Sequence, residues 1–122
     1  RFSPDVPTLE DEEIMITGIA SKSIILNSEN VGFQITENGI VNYLADDKNI
    51  ISDTSNEIKI YDRSVESITL AMKVAKQKFG GDIEITGATE KDKQVIESIA
   101  PNVGIVTVDI HLSGESSIEI GY

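Results

Sequence analysis

The sequence predicts an α+β domain in which an N-terminal antiparallel β-meander runs into a βαβαβ unit, with two helices packed on a mixed sheet. Three observations predict it. Between Glu13 and Asp62, short β-branched runs alternate with polar turn residues. From Val65 onward the apolar residues recur at steps of three and four, the period of a helix. After Gly80-Gly81, strand-like and helix-like segments alternate, the order of right-handed parallel crossovers. The chain has 122 residues, 39% of them hydrophobic, which suffices for one core without disulfide or metal staples.

Residues 1–13 carry Pro4, Pro7 and the acidic run Glu10, Asp11, Glu12 and Glu13, a composition that resists packing. They are expected to form a flexible acidic leader ahead of a single α/β accessory domain over residues 14–122. The chain opens on Arg1 without the apolar stretch of a signal peptide, so it reads as a segment of a larger protein or a processed start. Strands are expected at residues 14–17, 23–26, 31–35, 40–44, 49–51 and 58–61. Between the third and fourth, Glu37-Asn38-Gly39 supplies an Asn-Gly pair suited to a tight hairpin turn, because both residues tolerate positive φ.

Val65, Ile68, Met72, Ala75 and Phe79 fall on one helical stripe, which Ala71 joins, so a helix is expected over 64–79. Ser64 is placed to cap its start, and Gly80-Gly81 frees its end to turn left-handed. Residues 82–86 alternate as a strand. Thr89 then caps a second helix that turns Val95, Ile96 and Ile99 inward and stops at Pro101. Residues 103–108 read as a buried strand and 117–120 as a last alternating one. Phe33 and Phe79 are assigned to the core.

Charge narrows the function. Residues 1–60 hold 4 basic and 11 acidic side chains and residues 61–122 hold 6 and 10, for a net −11. A field of that sign opposes binding to nucleic-acid backbones and anionic membranes, and suits a basic partner. The absence of Cys excludes disulfides, thiol nucleophiles and thiolate metal sites. No apolar run approaches the roughly 20 residues that span a bilayer. The lack of Cys leaves the compartment open, with the cytoplasm as the default expectation.

Candidate chemistry is sparse. His111 is the one histidine, which leaves no multi-histidine site and no conventional triad. Asp46-Asp47 are adjacent carboxylates that would point to opposite faces of a strand. Asp46 meeting Asp53 or Asp62 in space would allow an acidic enzyme site, with His111 as a further candidate, but no spacing selects one. Thr86-Gly87-Ala88-Thr89 reads as a tight strand-to-helix connection, lacking the repeated glycines of a phosphate loop. Tyr43 and Tyr61, the best aromatic pair for single-strand stacking, sit among acidic neighbours. The local anomaly is basic: Arg63, Lys73, Lys76 and Lys78 cluster on and before the first helix, a candidate partner-binding surface. No catalytic residue, metal site or cofactor is expected.

The run from Leu70 to Gly87, with its Lys78-Phe79-Gly80 helix end and its Ile83-Glu84-Ile85-Thr86-Gly87 strand, followed by a helix and then Val103-Gly104-Ile105-Val106, resembles the seventh class of large polyvalent protein-associated domains. Upstream, Asp46 and Ile51 match that family's Phe-x-Asp-x-Gly-x-x-Ile strand, while Leu44 and Lys48 replace its Phe and Gly. The resemblance covers about the last three quarters of the chain. It implies an accessory domain of proteins carried by conjugative plasmids, integrative elements and phages, attached to relaxases, primases or other DNA-processing enzymes, and it brings no catalytic residues. The expected function is a non-enzymatic protein-interaction or recruitment module of such a protein, with a protein partner such as a component of a DNA-transfer apparatus. Weak single-stranded nucleic-acid binding is the second expectation and an enzyme with an acidic site the third.

Overall fold

The computed structural model describes residues 13–19, 24–27, 30–54 and 56–112. Among these residues, seven strands form one sheet: β1 (Ile14–Thr17), β2 (Gly32–Ile35), β3 (Val41–Ala45), β4 (Lys48–Asp53), β5 (Glu57–Ile60), β6 (Asp82–Ala88) and β7 (Thr107–Leu112). Two helices, α1 (Val65–Phe79) and α2 (Glu90–Val103), complete the α+β architecture. The sheet order is β2-β3-β4-β5-β1-β6-β7, antiparallel except for the β6–β7 pair. Since β1 is antiparallel to both β5 and β6, those two strands run parallel with β1 between them. The β5-α1-β6 crossover therefore spans β1, and β6-α2-β7 joins neighbours.

Both helices lie on one face of the sheet. Ile14 and Ile16 of β1, Ile58 and Ile60 of β5 and Ile83 and Ile85 of β6 alternate inward and are buried against Ile68, Ala71, Met72 and Ala75 of α1 and Ile96 and Ala100 of α2. The alternate positions, among them Met15, Lys59, Glu84 and Thr86, face away from the helices, which is the period-two pattern of a sheet covered on one side. Each fully buried isoleucine contributes roughly 1.5–3 kcal/mol of transfer free energy.

Turn chemistry sets the meander register. Asp46 (φ 53°) and Asp47 (φ 65°) both occupy the left-handed region between the paired residues Ala45 and Lys48, the conformation of a two-residue type I′ hairpin. The Asn-Gly hairpin is looser. There Gly39 (φ 85°) is left-handed and Asn38 is not; Gly39 donates its N–H to the Thr36 carbonyl and Thr36 donates to Ile40, closing a three-residue loop. In β4, Ile50 is the extra residue of a bulge opposite Tyr43 and Leu44, so Ile50 and Ile51 are both buried despite being adjacent.

Several expectations are corrected. Residues 24–27 form no strand; they lie against the core through Ile24 and Leu26, and the Leu26 N–H donates to the hydroxyl of buried Tyr43 at 3.1 Å. Phe33 is 44% exposed, because β2 is the outermost strand among the described residues and lies beyond the reach of α1 and α2. Val65, at the start of the α1 stripe, is also exposed. Pro101 does not end α2, which runs to Val103, since a proline this near the terminus removes only one intrahelical bond. The stop is Gly104 (φ 89°, ψ 18°), with Ile105 N–H returning to the Ala100 carbonyl. The last described strand therefore starts at Thr107 rather than 103. The expected leader over 1–13, except Glu13, and the strand at 117–120 lie outside the described residues.

Candidate functional site

A cleft of about 700 Å³ opens where the start of α1 meets the β3–β4 turn. Its position follows from the fold. The type I′ turn projects Asp46 to one side, the bulge turns Ile50 toward the helix, and Ser64 fixes where α1 begins, its Oγ accepting the Ser67 N–H at 3.2 Å. Val31, Ala45, Ile50, Val65 and Leu70 supply an apolar floor; Asp46, Asp62, Glu66 and Lys73 supply the charges around it. A mainly apolar cleft of this size with a few polar groups is the usual form of a recognition site.

Asp62 is held by two serine hydroxyls. Its Oδ2 accepts hydrogen bonds from the hydroxyls of Ser67 at 2.5 Å and Ser64 at 2.7 Å, and these hold its carboxyl below the usual carboxylate range. The anion thus sits ahead of the positive end of α1. Three carboxylates against one ammonium make the cleft acidic.

The four basic candidates do not share a surface. Lys78 is buried, 3% exposed, with its Nζ 3.1 Å from Oδ1 of equally buried Asp53. The pair is therefore a buried ion pair between β4 and the last turn of α1. Burial raises the Asp53 pKa, and Lys78 only partly offsets it. Arg63 reaches Asp92, whose Oδ2 also accepts the Thr89 N–H, so Arg63 locks onto the capping box of α2. Lys76 lies along Gly104, where an added Cβ would meet its Cε at 3.3 Å. Lys73 stands exposed on the rim of the cleft. The signal for Lys78 was present in its spacing: it follows Val74 by four and Ala75 by three, on the buried side of the helix.

Among the acidic candidates, Asp46 and Asp62 line the cleft together, whereas Asp53 is committed to Lys78. Tyr43 is a core residue and Tyr61 is about half exposed, so the two do not form an open stacking platform. His111 lies across the sheet, on the face opposite α1 and α2. Its Nε2 is 2.8 Å from Oε2 of Glu84 and 3.6 Å from Oδ2 of Asp109, in a group of donors suited to a metal ion. Sequence reasoning missed Glu84 and Asp109 as partners because only the parallel β6–β7 register sets Glu84 opposite Asp109.

Among the described residues, no helix is long and apolar enough to cross a membrane. Comparison with known proteins gives one family model, Large polyvalent protein-associated domain 7, matching residues 29–109. No curated protein and no solved structure matches the chain. The matched span runs from just before β2 into β7 and so includes every residue of the cleft.

Proposed function

Because the chain belongs to the large polyvalent protein-associated domain 7 family, we propose that it serves as a non-enzymatic recruitment module of a larger DNA-processing protein, holding a basic, partly apolar segment of a protein partner in the cleft beside α1. The family places it as an accessory domain of larger polyvalent proteins. A relaxase-type parent, a conjugation setting and a cytoplasmic location are the finer parts of this proposal.

The observation that carries the reading is charge complementarity over an apolar floor. Asp46, Asp62 and Glu66 face a cleft whose base is aliphatic, with Lys73 the single cation of the lining. A lysine or arginine side chain fits both parts, since its methylenes lie on apolar surface while its head group meets carboxylates. A phosphate backbone would meet repulsion there and across a chain of net charge −11.

The test uses the purified chain and two synthetic peptides, one alternating Arg or Lys with Leu and one with Glu in place of the basic residues, followed by fluorescence anisotropy. The basic peptide should bind and the acidic one should not. Asp46→Asn with Glu66→Gln should weaken binding at least tenfold, and Lys73→Glu should strengthen it by removing the opposing charge. Weaker binding after Lys73→Glu would instead assign docking to the lysines of α1, and binding indifferent to all three changes would remove the cleft from the mechanism.

A further inference from the structure

The face of the sheet opposite α1 and α2 carries a second constellation, independent of the cleft. Glu84 in β6 and Asp109 in β7 are direct cross-strand neighbours, and His111 follows Asp109 by two residues on the same face. Like charges opposite one another across a strand pair are destabilising, and an exposed ion pair to one imidazole returns little. Stability of the folded sheet therefore does not account for two carboxylates converging on the one histidine of the chain. We propose that Glu84, Asp109 and His111 form a binding site for a divalent cation of the zinc class.

The geometry suits such an ion. A tetrahedral ion with bonds of about 2.0–2.1 Å sets its ligand atoms roughly 3.3–3.4 Å apart. The imidazole Nε2 is 2.8 Å from the Glu84 oxygen and 3.6 Å from the Asp109 oxygen, and all three donor atoms lie within 4.8 Å of one another. Small side-chain rotations bring these to the ideal spacing without moving the strands. The donor set, one nitrogen and two carboxylate oxygens, suits zinc better than magnesium or calcium, which prefer all-oxygen shells. Three protein ligands leave a coordination position open, and a shallow cleft of about 250 Å³ lined by Thr17, Asp82, Glu84 and Asp109 adjoins the group, with room for water or a ligand from a partner. Binding would join β6 to β7 through side chains as well as backbone.

His111 being the one histidine makes the test unambiguous. Zinc chloride is titrated into the tag-free chain while the imidazole resonances are followed by NMR, with isothermal titration in parallel and magnesium chloride as the comparison. The result expected is saturation at one zinc per chain, a shift of the His111 imidazole signals, and no comparable response to magnesium. His111→Ala and Glu84→Gln, both exposed positions, should each weaken zinc binding at least tenfold while leaving the circular dichroism spectrum unchanged. Imidazole signals indifferent to stoichiometric zinc, or zinc heats identical in the parent and in His111→Ala, would overturn the site. Should a variant misfold, the parent's imidazole titration decides alone.

Discussion

Replacing Lys78 by Met leaves the Asp53 carboxylate buried without its counter-charge. Both side chains are 3% exposed, and the pair bridges β4 to the last turn of α1, where the ammonium also lies 5.7 Å from the Phe79 ring centroid and near the negative end of the helix. Breaking one side of a buried pair costs about 3–5 kcal/mol, because the remaining charge keeps its desolvation penalty. Burial already raises the Asp53 pKa against the pull of Lys78. In Lys78→Met that pull is gone, so the carboxyl rises further and the folded protein can relieve the penalty by taking up a proton. The loss should therefore be about 3–5 kcal/mol by urea denaturation at pH 7 and should shrink on acidification as Asp53 is neutralised. Pairing the change with Asp53→Leu should recover most of the loss, since an apolar pair of similar volume is often neutral or better. A single-variant loss under about 1 kcal/mol at pH 7, or one of equal size at acid pH, would refute the assignment of a buried, charge-held pair.

Two carboxylates titrate with opposite effect on stability. Asp62 is held low by its serine hydrogen bonds, so its contribution is present above the ordinary carboxylate range and is lost as pH falls through the lowered value; Asp53 is raised, so its contribution is present at low pH and is lost as pH rises through the raised value. Stability-versus-pH curves should accordingly show that Asp62→Asn flattens the acid limb while Asp53→Asn does not. Gly87, at φ 83° inside β6, has no room for a side chain, because a Cβ would lie 2.5 Å from the Glu13 carbonyl oxygen. Gly87→Ala should lose more than the ~1–2 kcal/mol of left-handed strain alone, and denaturation showing less than about 0.5 kcal/mol would contradict the close approach to β1. In the type I′ turn, Asp47→Gly should stabilise by roughly 0.5–1 kcal/mol, as relief of left-handed strain exceeds the added entropy of the unfolded chain; an unchanged melting temperature would count against the turn geometry.

Local chemistry was legible in the sequence where one residue type has one physical use. The α1 boundaries follow from Ser64 and Gly80, and the Thr89 cap is seated as expected, with Asp92 completing a capping box. What periodicity cannot convey is which elements lie over which strands. Phe33 reads as core because its neighbours alternate like a buried strand, yet β2 is the outermost strand among the described residues, past α1 and α2. Lys78 reads as surface because it is charged, yet its helical position faces β4, where Asp53 awaits it. The Asp46-Asp47 turn was overlooked because the Asn-Gly pair is the stronger hairpin signal, and the tighter turn belongs to the two aspartates. The cleft joins Val31, the β3–β4 turn and the start of α1, segments spread over more than thirty positions that only the sheet order brings together. Glu84 and Asp109 likewise become neighbours of His111 through strand register alone.

The recruitment reading is tested most directly by recording backbone amide shifts of the isotope-labelled chain as the basic, leucine-containing peptide is added. Perturbations gathered at Val31, Asp46, Ile50, Val65 and Leu70, with those at Lys76 and on β7 silent, are the outcome that docking in the acidic cleft requires. A spectrum that stays unmoved at those five positions while the peptide binds elsewhere, or that never responds to it, would contradict that account.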